Sequence, residues 1–98
     1  MSDRYLLQLV AIRALNDELR TRFRGGTVTV SEEVKKLGHI VVANALLTMA
    51  ETDCFDNDEH QAGRFPFCAR LFRWWISYGD SPNPANGRLT KRELFLSL

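Results

Sequence analysis

Apolar residues at the start of the chain recur at steps of three and four: Tyr5, Leu9, Ile12, Leu15, Leu19 and Phe23. That spacing puts them on one face of a helix, with Asn16, Asp17, Arg20 and Arg24 falling mostly opposite. Ser2 or Asp3 can cap its start, and Gly25-Gly26 ends it, because glycine takes the left-handed conformation without penalty. The pattern then changes period. "TVTV" (27–30) alternates β-branched residues and predicts a short strand. "SEEVKKLG" predicts a helix of one or two turns. Ser31 is its cap, Glu32 and Glu33 fill its first turn, Lys35 and Lys36 its last, and Gly38 follows. "HIVVANALLTMAE" predicts a further helix from its alanines and the spacing Ile40, Ala43, Leu47.

After a polar, turn-rich segment at 51–63 the period becomes two. "RFPFC" and "FRWWISY" predict two strands joined through Ala69-Arg70-Leu71. In the second, Phe72, Trp74, Ile76 and Tyr78 share one face, and Arg73, Trp75 and Ser77 share the other. Pro66 cannot donate to a ladder, which places its strand at an edge. "GDSPNPANG" is a loop by composition. The alternation of Leu94, Leu96 and Leu98 with Phe95 and Ser97 fits a last strand; the Glu, Leu, Lys and Arg content of residues 89–98 also fits a helix. The expected architecture is α+β, one domain over residues 1–98. N-terminal helices pack on a small antiparallel β-sheet of three to four strands, and the long first helix covers one face.

Composition narrows the function. The chain of 98 residues is 45% hydrophobic and 26% charged, as expected of a globular domain with a modest core. Thirteen basic residues against twelve acidic ones leave a net charge of +1. A dedicated nucleic-acid binder usually carries a basic excess, since phosphate neutralisation supplies most of its affinity. Arg13, Arg20, Arg22 and Arg24 still offer a local basic patch. The N-terminal segment reads without a secretory signal, and no apolar run has the length of a membrane span. Cytoplasmic residence and reduced thiols at Cys54 and Cys68 are therefore expected.

The chemistry-bearing stretch is "AETDCFDNDEHQAGRFPFCARLFRWWISYGD" (50–80). Its carboxylates Glu51, Asp53, Asp56, Asp58 and Glu59 form an acidic segment. Taken as a calcium loop from Asp56, it fails at the glycine and closing-glutamate positions, which fall on Gln61 and Phe67. Cys54, His60, Cys68 and His39 match no paired-ligand zinc template. Cys54 and His60 are the one close nucleophile–base pair, without a group to orient the base. Gly25-Gly26 leads from helix to strand, the reverse of a dinucleotide site. No cofactor, metal site or catalytic residue is expected. Trp75, flanked by Arg73, suits a base-stacking platform or a protein hot spot. The competing expectation, taken first, is that a helix packs over it.

"IRALNDELRTRFRGGTVTVSEEVKKLG" and "FDNDEHQAGRFPFCARLFRWWISYGD" resemble a small bacterial family catalogued as domain of unknown function 3768. The resemblance rests on Leu15, Asn16 and Asp17, on Gly25 and Gly26, on Asp56, Asn57 and Asp58, and on His60, Gly63, Phe65, Trp74, Tyr78 and Asp80. Trp75 and Ser77 stand where the family carries charged residues, and "EHQAG" stands where the family usually reads Glu-His-Asp-Phe-Gly. The resemblance carries no activity; it implies an accessory role on plasmids and phages.

The leading expectation is a non-enzymatic protein-binding module acting as an inhibitor of a host defence complex, such as an anti-CRISPR protein. Its partner is a host protein or complex and not a membrane. Its contact residues are Glu51, Asp53, Asp56, Asp58, Glu59, Arg73 and Trp75, with the acidic segment competing for a basic channel. Two alternatives stand beside it. One is a nucleic-acid-binding regulatory domain using the arginines and Trp75. The other is a small metal-dependent enzyme built on Asp56, Asp58 and His60.

Overall fold

The computed structural model describes residues 3–79, 83–86 and 90–98. The cap position Ser2 and the motif residue Asp80 lie outside them. The elements run α1 (Asp3–Arg22), β1 (Gly26–Val30), α2 (Glu32–Lys35), α3 (His39–Glu51), β2 (Ala62–Phe67), β3 (Arg70–Ser77) and β4 (Arg92–Ser97). The α+β class stands: helices pack on one four-stranded sheet in the order β1-β4-β3-β2. Among the described residues no helix is long and apolar enough to cross a membrane.

The sheet is mixed rather than antiparallel. β2–β3 and β3–β4 are antiparallel, whereas β1 lies parallel to β4. Local patterning marked each strand but cannot name its neighbour. β4 slots between β1 and β3, where Leu94 and Leu96 are both fully buried. Residues 92–97 are thus a strand and not a helix. Pro66 does sit on an edge, in β2.

One sheet face carries the core. Phe65, Phe72, Trp74, Ile76, Leu94 and Leu96 point into it and meet Leu19 of α1, Val34 of α2, and Ala45 and Met49 of α3. Removing each of the aliphatic and phenyl side chains larger than alanine from water stabilises the fold by about 1.5–3 kcal/mol. Gly63 is buried for a steric reason: a Cβ there would stand 2.7 Å from the Trp74 indole nitrogen.

Helix α1 buries the middle of its expected stripe together with two polar residues, and α3 buries a different stripe from the one its apolar spacing suggests. In α1 the buried positions are Ile12, Asn16, Leu19 and Arg20, while Tyr5 and Phe23 are largely exposed. Asn16 and Arg20, expected on the solvent side, are drawn in by buried polar partners. In α3 the inward residues are Ala45 and Met49, with Val42 and Leu46 beside them; Ile40 is 77% exposed and Leu47 57%. Phe23 (φ 57°) is the first left-handed residue after α1, its N–H bonding the Leu19 carbonyl at 2.9 Å, and Gly25 (φ 84°) takes positive φ as its glycine allows.

The hairpin turn also falls earlier than expected. Phe67 pairs with Arg70, so the loop is the two residues Cys68 and Ala69, not 69–71. Both have positive φ, 51° and 60°. This is the type I′ geometry that matches strand twist and normally calls for Asn-Gly.

Candidate functional site

The second face of the sheet is open. By register it displays Thr27 and Thr29 of β1, Glu93, Phe95 and Ser97 of β4, Leu71, Arg73 and Trp75 of β3, and Arg64 and Pro66 of β2. The expectation that a helix covers Trp75 is wrong. Trp75 is 38% exposed, against 1% for its neighbour Trp74, and Leu71, Arg73 and Arg64 are exposed around it. The physical reason is that all three helices are used on the Trp74 side, where the continuous apolar stripe lies.

Trp75 and Phe95 oppose each other on the two central strands, their rings stacked with centroids 5.4 Å apart. The Arg73 guanidinium sits 5.7 Å from the Trp75 ring centre, a cation–π distance. On the other flank Trp75 faces Ala62, whose methyl group is too small to cover an indole. Arg64 opposes Arg73 one row along. The result is an aromatic ridge with a guanidinium border. Phe95 and Arg64 were not singled out from the sequence. The signal was present, since each occupies an outward position of an alternating strand.

The acidic segment is not one free surface. Glu51, Asp53, Asp56 and Asp58 are exposed, but Asp56 lies 3.6 Å from Arg64 in an ion pair. Glu59 turns inward and accepts a 2.6 Å hydrogen bond from the Tyr78 hydroxyl. The loop holds its course through its own turns. The Asn57 side chain accepts from the Gln61 N–H at 2.9 Å, and the Asp56 N–H reaches the Ala62 carbonyl at 2.9 Å. Neutralising Glu59 would therefore disturb the fold along with the surface, so Glu59 is not available as one of the expected contact carboxylates. Glu51, Asp53 and Asp58 remain as outward carboxylates.

Helix α1 pins this loop with the residues expected to face water. The Arg13 guanidinium donates to the Asp58 carbonyl. The Asn16 amide donates to the Glu59 carbonyl and the Tyr78 hydroxyl, both at 2.9 Å, and its oxygen accepts from Arg92 Nε at 2.9 Å. Asp17 sits 3.1 Å from His60 Nδ1. Arg20 Nη1 donates to the Thr52 carbonyl at 2.6 Å and to the Met49 and Ala50 carbonyls at 3.3 Å each, satisfying the end of α3. Its guanidinium also covers the Phe55 ring at 4.8 Å, and Phe55 stacks on His60 at 3.8 Å. Asn16, Asp17, His60 and Tyr78, scattered in sequence, thus meet in one network.

Burial pushes the Tyr78 hydroxyl up to about 12, reinforced by its hydrogen bond to Glu59. Burial likewise lowers the Arg92 guanidinium, opposed by Tyr78 and Glu59. A phenol raised from its ordinary value of 10 contributes stability that is complete below pH 10 and is lost as pH rises toward 12. Alkaline titration of unfolding free energy should show this loss between those values, and Tyr78→Phe should flatten it while leaving Arg92 in place. An unchanged alkaline slope in Tyr78→Phe would remove Tyr78 as its source.

Chemically, the Asp17–His60 pair is an oriented imidazole, two parts of an acid–base device. The residues proposed for a metal centre go to separate partners: His60 to Asp17, Asp56 to Arg64. Among the described residues no three His, Cys, Asp or Glu side chains converge on a point that could hold an ion. Cys54 and Cys68 are free and exposed. His39, at the start of α3, lines a shallow apolar groove of about 450 Å³ with Lys35, Val42, Ala43 and Leu46. Compared with family models, curated proteins and solved structures, the chain matches none.

Proposed function

We propose that this protein is a binding module that occupies another protein through the open face of its sheet, with Trp75 at the centre of contact. One observation carries the reading. A stacked Trp75–Phe95 pair lies on the two central strands, bordered by Arg73 and Arg64, and among the described residues no helix covers it. Tryptophan and arginine dominate protein hot spots because they remove large apolar area from water while keeping directed polar contacts. The surroundings of the pair favour a protein over a nucleic acid. Leu71 is 58% exposed, and Asp56 and Glu93 offset the charges of Arg64 and Arg73, so the surface carries apolar area and both signs. A phosphate backbone finds no net positive charge there, whereas a mixed-sign protein surface can match it. The biological form we propose is an inhibitor carried by a mobile element that blocks a host protein by covering it.

The test compares immobilised wild type, Trp75→Ser and Asp53→Asn in nuclease-treated lysate of the source cell. A discrete protein should be retained by wild type and by Asp53→Asn. Its affinity should fall about 30-fold or more with Trp75→Ser, the effect of losing a hot-spot side chain worth about 2 kcal/mol. Equal retention by Trp75→Ser would overturn the proposal. So would a ligand captured by Trp75 only when the nuclease treatment is omitted, which would make the aromatic pair a base-stacking platform instead.

A further inference from the structure

We infer that the free edge of β1 is a self-association site, at which a second copy of this chain pairs antiparallel about Val28. The two sheet edges differ sharply. At the β2 edge the Ala62 carbonyl is already taken by the Asp56 N–H, Pro66 has no N–H, and Arg64 would meet another Arg64 on close approach. Proline, charge and a covering loop are the usual devices that close an edge. β1 carries neither proline nor charge, its sequence being Gly-Thr-Val-Thr-Val, and among the described residues β4 is its one strand neighbour.

The hydrogen-bonding phase of β1 suits a two-fold pairing. The Ser31 N–H bonds the Leu96 carbonyl, continuing the parallel ladder, so Thr27, Thr29 and Ser31 direct their backbone groups toward β4. Gly26, Val28 and Val30 then direct theirs outward. With Val28 opposite Val28 of the second copy, Gly26 falls opposite Val30, and the outward groups supply roughly six inter-chain hydrogen bonds. Thr27 falls opposite Thr29, a favourable cross-strand pair. Just beyond the strand, Arg24 and Glu32 lie equally far from Val28, and both are exposed. The two-fold axis brings Arg24 of each copy toward Glu32 of the other, at both ends. A self-complementary edge with opposite charges at equal offsets is the signature of an isologous contact. Pairing would make one eight-stranded sheet with the two Trp75 side chains on the same open face, roughly 24 Å apart at normal strand spacing.

Sedimentation velocity over a wide concentration range tests this directly. Wild type should pass from monomer to dimer. Thr27→Lys with Thr29→Lys places like charges opposite each other and should hold the chain monomeric, with an unchanged circular dichroism spectrum and thermal midpoint at low concentration. Arg24→Glu alone should weaken the dimer about ten-fold, and adding Glu32→Arg should restore it, as expected for exchange of a matched pair. A wild type that stays monomeric at its solubility limit overturns the inference and leaves the edge to a strand from another protein. A dimer indifferent to the two lysines overturns the site, and failure of the charge swap to restore association overturns the register. The threonines lie two strands from Trp75, so these outcomes are independent of partner capture through the open face.

Discussion

Replacing Asn16 with leucine is expected to destabilise the protein by about 3 kcal/mol or more, read as a lower urea midpoint at unchanged slope. The two side chains have similar volume, so the effect is not that of a cavity. Asn16 is fully buried and makes three hydrogen bonds, to the Glu59 carbonyl, the Tyr78 hydroxyl and Arg92 Nε. Leucine can make none of them. The Arg92 side chain, itself only 2% exposed, would keep its contact with the Pro84 carbonyl but lose the acceptor for Nε. A buried charge with an unmet donor costs more than the mean value of a hydrogen bond. The loss should depend on Arg92 being present: Asn16→Leu with Arg92→Met should cost clearly less than the two single changes summed. Strict additivity would mean that Asn16 does not act through Arg92.

Replacing Cys68 with asparagine and Ala69 with glycine is expected to stabilise the protein by about 1–2 kcal/mol, since each non-glycine residue held left-handed costs energy that these residues avoid. In a domain of this size that is a rise in thermal midpoint of about 5–10 °C. Both residues are exposed, so neither substitution removes core packing. Glycine gives back part of the gain through the freedom it adds to the unfolded chain. An unchanged or lower midpoint would show that the turn does not hold the φ values of 51° and 60°.

The elements were legible in the sequence where the signal was local. Ser31 caps α2 as its sequence indicates, accepting from the Val34 N–H at 3.3 Å. The period-two stretch 72–76 splits between core and surface as its alternation requires, with Phe72, Trp74 and Ile76 buried and Trp75 outward. What a side chain meets was not legible. The apolar stripe of α1 suggested a water-facing Asn16 and Arg20, yet both are buried because their partners arrive from residues 49–92. Hydrophobic spacing ranks positions by their own polarity; it cannot register that a distant carbonyl, a helix end or a guanidinium makes burial of a polar residue favourable. The turn at Cys68-Ala69 was hidden for a related reason: it lacks the Asn-Gly signal, and the strand pairing on either side imposes the geometry instead.

The candidate site divides the same way. Trp75 and Arg73 were found together because alternation alone puts them on one face. The run of carboxylates from Glu51 to Glu59 predicts one acidic surface, but its members separate once folded, with Glu59 on Tyr78, Asp56 on Arg64, and Asp58 left outward. Charge density along a chain is visible in sequence. Whether each carboxylate faces solvent depends on the direction of the backbone, and His60 at φ 55° sets that direction where the loop turns back to the sheet.

Two adjacent tryptophans face opposite ways, Trp74 into the core and Trp75 into solvent. Fluorescence quenching by acrylamide separates them. Trp75→Phe should leave a single blue-shifted emission from Trp74, barely quenched until the protein unfolds, while wild type shows an added red-shifted, readily quenched component. If Trp75→Phe is quenched as readily as wild type, or if wild type contains no accessible tryptophan, the open aromatic face does not exist.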